Sequence, residues 1–332
     1  VKLSTALLIA GCIGFFVGML LSIGAEPLAV IFGIFEGAFG SQMATNDTLE
    51  AFIPLVIAGL AVFIGLRAGL FNIGVEGQLL AGALLSAVIA LAIPGPLGIV
   101  LAIVGGMFAG LLIAAPAGLI KAYRGGHEVI TTIMMNNIVI LVTGALVAGP
   151  LRDSERQNPT TPLLSASSRI PTLQIGPDLQ ISYMIFVAIA LTFFGAWWLR
   201  RTVAGYELRA VGENPKAAKF AGARPKKVIV LAMCVSGALA GLAGTTMVLG
   251  LEGRFFAGFS PGYGFDALGI GLLAGPAAWL LLPASLLFAV LGTGTTFIQI
   301  LGVPKGIGSV VVGLIIVIVA ALRYRTGRTD GH

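Results

Sequence analysis

Long apolar runs recur along this chain: Leu7 to Ile23, Ile73 to Ile93, Leu97 to Ile120, Val129 to Ala148, Ile181 to Leu199 and Val228 to Leu249. Each approaches the roughly 20 residues that an α-helix needs to cross bilayer hydrocarbon. A membrane barrel would instead show alternating segments of about 10 residues. Only 10% of the 332 residues are charged, against about 25% in ordinary soluble domains. The fold class that follows is an all-α polytopic membrane protein. Gly106 to Gly110 and Gly237 to Gly241 have the small-residue spacing that lets two helices approach closely in lipid.

Charge sets the expected orientation. The net charge is +6 and the isoelectric point is about 9.6, but the basic residues sit in loops beside the apolar runs, where they meet anionic lipid head groups. No exposed domain is large enough to offer a basic face to nucleic acid, so none is expected as a partner. Lys121, Arg124, the basic stretch from Arg200 to Lys227, and Arg323, Arg325 and Arg328 mark cytoplasmic segments. Ser22 to Glu50 holds Glu26, Glu36, Asp47 and Glu50 without a Lys or Arg and is expected outside, as is the Pro-rich segment Pro150 to Gln180. Both termini are then cytoplasmic. Ile9-Ala10-Gly11-Cys12 has the look of a lipid-attachment box behind Lys2, yet the apolar run continues to Leu21, so a first span is expected rather than a leader. Cys12 and Cys234 fall inside apolar runs and are expected as small core residues, with no disulfide or metal site.

An internal repeat organises the spans. Ile73 to Gly82 matches Tyr263 to Leu272 in its order of features, with Glu76 against Asp266, and Glu128 to Val142 matches Gly306 to Ala320. If the copies start on opposite sides, the halves are inverted and about ten spans result, five in each half. The expected organisation is a single transmembrane domain over 1–332: a first half of about 1–150, an external loop of 150–180 and a second half of about 181–325. The second half carries a cytoplasmic loop at 200–227. Inverted halves with Gly- or Pro-interrupted helices are typical of transport proteins.

Within that loop, Glu213-Asn214-Pro215-Lys216-Ala217-Ala218-Lys219-Phe220-Ala221-Gly222 predicts a short capped helix. Asn214 caps it, Pro215 fits the first turn and Gly222 closes the C-terminus. Ala217, Ala218 and Phe220 form its apolar side, and Lys216 and Lys219 mark the other. At about two turns it is too short to be stable alone. It either lies on anionic lipid or plugs into a cytosolic protein, and in the second case Ala218 belongs to the buried docking face.

The chain resembles a permease subunit of the ATP-binding-cassette importers. The likeness is to the branched-chain amino acid and simple-sugar branch, and within it to the nucleoside permeases that work with basic-membrane-protein-type binding lipoproteins. It rests on Gly69 to Gln78, His127 to Asn137, Glu207 to Gly212 with the helix that follows, and Ser236 to Gly244, with Gly262 to Asp266 and Gly302-Val303-Pro304 extending it. Ala274 to Trp279 departs from the Gly-Gly-Asn-like turn of the family. The resemblance implies that Glu213 to Gly222 is a coupling helix seated in an ATPase subunit. It also implies a second, related permease chain, an external substrate-binding lipoprotein, and residence in the plasma membrane of a prokaryote. ATP and Mg²⁺ would bind the ATPase, and this chain would hold no cofactor.

The residues agree with that division of labour. There is no G-x-x-x-x-G-K-[ST] loop and no H-E-x-x-H, so neither phosphate-loop ATP binding nor an enzyme's zinc site is expected here. Candidate substrate-pathway residues are Glu76, Gln78, Thr131, Asn136, Asn137, Asp266 and Gln299. Each has a structural alternative. Glu76 and Asp266 stand near helix starts, where a carboxylate complements the helix dipole. Asn136 and Asn137 can hydrogen-bond between helices, and being adjacent they point about 100° apart, so at most one faces a pore. Phe71 and Phe265 can stack on a base or simply pack, and His127 with Glu128 can cap a span. Nucleosides are the expected substrate, with riboflavin or a simple sugar as the alternative within the class and an ion-coupled carrier outside it.

Overall fold

The computed structural model describes residues 2–176, 179–299, 302–304, 306–308, 310–314 and 317–318. The expected cytoplasmic markers Arg323, Arg325 and Arg328 lie outside the described residues, as does part of the repeat from Gly306 to Ala320. The described chain is mostly helical: α1 Lys2–Ser22, α2 Pro27–Phe39, α3 Gln42–Arg67, α4 Val75–Ala92, α5 Pro96–Leu119, α6 Glu128–Ala148, α7 Met184–Arg201, α8 Val203–Glu213, α9 Pro215–Phe220, α10 Pro225–Thr246, α11 Tyr263–Ala274 and α12 Leu281–Ile298. Single π-helical turns extend α5 to Arg124 and α10 to Glu252. Among the described residues, 7 helices are long and apolar enough to cross a membrane. The pair α1 and α2, bent by 95°, makes up to 8 if it counts as one span.

Two compact units divide the chain, the first within Val1–Phe52, Ile175–Leu179 and Leu286–His332, the second within Ile53–Gln174 and Gln180–Ser285. In the first, Leu20, Val30, Ile34 and Ala38 bury themselves with Val290, Leu291, Ile298 and Val303, and the Thr48 and Thr293 hydroxyls pair at 2.8 Å. The stretch Ser22 to Glu50 is mostly helix, formed by α2 and the start of α3. Proline suits a first helical turn, Pro27 starts α2, and the apolar run behind it carries the helix to Phe39.

The second unit is built on α4, α5 and α10. Gly106 and Gly110 of α5 face Gly237 and Gly241 of α10, and a Cβ added at Gly110 would stand 2.8 Å from the Gly241 Cα. The two spacings noted in the sequence therefore meet each other. The contact admits no side chain, so the backbones touch and dispersion replaces the hydrophobic drive that lipid removes. Ser86 of α4 and Thr245 of α10 add a hydroxyl pair at 2.7 Å.

Between Pro150 and Tyr183 the described residues are irregular apart from a 3-10 turn at Ala166–Ser168 and a hairpin of β1 Thr172–Gln174 and β2 Gln180–Ser182. This segment is pinned to the end of α10 and the residues after it by backbone bonds from Thr161 to Phe255, Leu164 to Gly253 and Ile170 to Leu249, each 2.8 Å. The apolar stretch from Ala267 to Val290 is broken at Gly275-Pro276. Helix α11 stops at Ala274, and Gly275 takes φ 56°, a left-handed value that side chains rarely adopt. Cys12 and Cys234 are free thiols.

Candidate functional site

The turn between α3 and α4 carries a buried cluster of amides. Asn72 donates to the Gln78 Oε1 at 2.9 Å and to the Ser236 Oγ at 2.9 Å, and its own Oδ1 accepts from Gly74 N at 3.0 Å. Ser236 passes the chain on to the Ala61 carbonyl at 2.7 Å. Asn136, on α6, accepts from Gly77 N at 2.8 Å and donates to the Ile73 carbonyl at 2.7 Å. It thereby serves one of the N–H groups that the first turn of α4 leaves without an intrahelical partner. A Cβ at Gly77 would fall 2.9 Å from the Asn136 Cα, so the amide reaches α4 only because residue 77 is glycine.

Glu76 performs the matching service at a distance in sequence. Its Oε2 accepts from Gly264 N at 2.7 Å, and Gly264 lies in the first turn of α11. A side chain at 264 would run into the Glu76 backbone. The N-terminal turns of α4 and α11 thus meet, each carrying an acid, Glu76 and Asp266. Both dipoles present their positive ends to these carboxylates.

The candidate pathway residues separate into groups. Glu76, Gln78 and Asn136 are buried and committed to other parts of the chain. Thr131 and Asn137 bond their own helix, to the His127 carbonyl at 3.1 Å and the Ile133 carbonyl at 3.0 Å, and Asn137 is exposed on α6. The two asparagines thus face different ways, Asn136 buried and Asn137 exposed. Asp266 is half-buried beside Glu76. Gln299, exposed at the end of α12 in the other unit, lies 3.4 Å from the Thr295 carbonyl. Asn72 and Ser236 join the cluster although the sequence offered them only as parts of Gly-rich stretches. Their signal is a polar residue in a run where lipid would reject it unbonded. Glu128 pairs with Lys121 at 2.8 Å, closing the turn between α5 and α6.

The loop helix forms as its caps predict. Asn214 Oδ1 accepts from Lys216 N at 3.1 Å and from Ala217 N at 3.0 Å, Pro215 opens α9 and Gly222 takes φ 93°. Its apolar side is divided, however. Ala218 is 5% exposed, the buried residue of a helix that lies against α8 and α10, whereas Phe220 is 94% exposed. Ala218, expected on the buried docking face if the helix plugs into a cytosolic protein, packs against its own chain instead. A two-turn helix must be held by its own chain, and the small residue marks that seam.

The family model described as the permease component of the branched-chain amino acid transport system matches residues 44–320. The nucleoside ABC transporter permease protein NupB of Lactococcus lactis subsp. cremoris is 34% identical over 94% of this chain and 89% of its own length. The guanosine ABC transporter permease protein NupP of Bacillus subtilis is 36% identical over 89% of this chain and 87% of its own. The glucose ABC transporter permease protein TsgB13 of Haloferax volcanii is 30% identical over 93% and 85%. A family match across most of the spans and relatives aligned nearly end to end converge with the helical, apolar architecture: this chain belongs to the branched-chain amino acid type of ABC transporter permeases, as a multi-pass membrane transport subunit and not an enzyme.

Proposed function

We propose that the chain is the membrane-spanning permease of an ATP-driven nucleoside importer. The observation that carries this reading is the alignment over nearly the whole chain with two permeases named for nucleosides and guanosine, at 34% and 36% identity. The glucose-named relative, at 30%, supports a sugar as the second reading. ATP and Mg²⁺ bind a separate ATPase, since the sequence has no phosphate loop. A second permease chain and an external substrate-binding lipoprotein complete the transporter.

The segment Glu213 to Gly222 acts as the coupling helix. Phe220 reaches outward from a helix that its own chain holds by Ala218, and a protruding aromatic on a braced helix is suited to filling a groove in a partner. Because a ligand can shift an equilibrium only by its differential affinity for the two states, the ATPase must stay engaged with this helix while it moves.

In this reading ten spans are arranged as inverted halves, with the N- and C-termini, the loop 200–227 and α9 cytoplasmic, and the segment 150–180 outside. The meeting of the first turns of α4 and α11, each with its acid at the matched position of the repeat, favours this arrangement, because inverted copies direct equivalent helix starts toward one another. Asn137 and Thr131, which make bonds only to their own helix among those described, are the pathway candidates with capacity left for a substrate hydroxyl or base.

The test is uptake of a labelled purine nucleoside by cells expressing the chain with its partners, against unlabelled nucleosides, riboflavin and glucose and an ATPase-dead control. Uptake that nucleosides block and the control lacks is the expected result. Active transport of glucose or riboflavin without nucleoside uptake would overturn the substrate, and uptake surviving in the control would overturn the energy source.

A further inference from the structure

Beside the ends of α3, α7 and α8 lies a cavity of about 330 Å³. Phe63 and Leu199 supply apolar wall, while Arg67, Arg200 and Arg209 line it against a single acid, Glu213. Arg67 is the last residue of α3, and Arg200 is in the last turn of α7. The Arg67 guanidinium is fixed by a hydrogen bond to the Gly275 carbonyl and by stacking 4.9 Å above the Phe63 ring. On α8, the Nε of Arg209 is buried without a hydrogen-bond partner. A buried guanidinium N–H without an acceptor is an unmet demand, and its residue lines a cavity with a surplus of positive charge.

We infer that this cavity binds the phosphate group of an anionic phospholipid. The guanidinium fork matches phosphate oxygens geometrically, and basic pockets between transmembrane helices take acidic lipid head groups. The cavity sits at span ends, the depth at which head groups lie, and Trp197 and Trp279, 54% and 55% exposed, stand beside its lining residues in sequence. Tryptophan favours that boundary. Leu66 and Ala196, half-buried in the same lining, give the first part of an acyl chain something to cover, which a soluble phosphate would leave bare. Bound there, the lipid would tie α8, the helix leading into Asn214 and α9, to the ends of two spans.

The experiment takes the full chain, purified with its transporter partners in mild detergent and delipidated. Retention of dioleoylphosphatidylglycerol, of dioleoylphosphatidylcholine and of inorganic phosphate is read by native mass spectrometry and by radiolabel. The expected result is preference for phosphatidylglycerol over phosphatidylcholine, with retention falling about fivefold in Arg209→Gln, the contribution of one interfacial cation. Arg200→Gln, at an exposed position, is expected to weaken retention as well and serves if the first variant fails to assemble. Equal retention of both lipids, or phosphatidylglycerol retention unchanged in the variants, would overturn the proposal. Saturable binding of inorganic phosphate, lost in Arg209→Gln, with no retained phosphatidylglycerol, would keep the phosphate chemistry and overturn the lipid.

Discussion

Asn136 and Asn137 stand next to each other in sequence and have opposite duties. Asn136 satisfies a helix-start N–H and a turn carbonyl at once, so Asn136→Ala leaves both buried groups unmet. The expected destabilisation is about 1–3 kcal/mol for a group left unsatisfied, seen as a lower midpoint in thermal unfolding of the purified protein. Asn137→Ala, at an exposed position bonded only within α6, should leave the midpoint unchanged. If Asn137 lines the pathway, that variant alters uptake at constant expression; unaltered uptake would remove it from the candidates. Gly264→Ala tests the other junction, because its methyl group would meet the Glu76 backbone. Overpacking of this kind costs about 1–3 kcal/mol, and a wild-type unfolding midpoint would show that α11 can retreat. The amide pair was legible in the sequence as a polar feature in a span. Which amide turns inward was not, because that depends on where α4 passes α6.

At the scale of elements, α9 is the clearest case of a local sequence dictating a local structure. An Asn-Pro start and a Gly end define it, and these caps act within a few residues, so no tertiary information was needed. Which side packs against the chain is not local, since Ala217, Ala218 and Phe220 are alike apolar in sequence and only Ala218 is buried. Two substitutions separate the seam from the knob. Ala218→Arg should lower the unfolding midpoint or prevent assembly, because a long cation enters the packing against α8 and α10. Phe220→Asp should fold and insert normally yet abolish ATP-driven uptake and weaken co-purification with the ATPase. Normal uptake by Phe220→Asp would count against a docking role for this helix. A similar economy holds α5 to α10, where Gly241→Leu is expected to force the glycine-lined backbones apart. The expected outcome is loss of folded protein by size-exclusion chromatography.

For the whole molecule, the proposed orientation makes a prediction about sides. In a background with Cys12 and Cys234 replaced by alanine, Ser167→Cys should react with a membrane-impermeant maleimide on intact spheroplasts. Lys216→Cys should react only after the membrane is opened. Labelling of both from outside would refute the ten-span, inverted arrangement. The sequence by itself determined that this chain lies in a membrane, where the spans α4, α5, α6, α7 and α10 run, how α9 is capped, and that no phosphate loop for ATP resides in it. Those properties follow from hydrophobic length, charge and cap chemistry, all local or additive along the chain. Only the tertiary structure decided that Ser22 to Glu50 is largely helical, that the glycines of α5 and α10 face each other, and that Glu76 holds the start of α11. It also decided that three arginines from separate helices line one cavity. Each of these needs residues brought together from distant parts of the chain, and in lipid that meeting is selected by close packing and hydrogen-bond satisfaction, which hydropathy along a single strand of text does not encode.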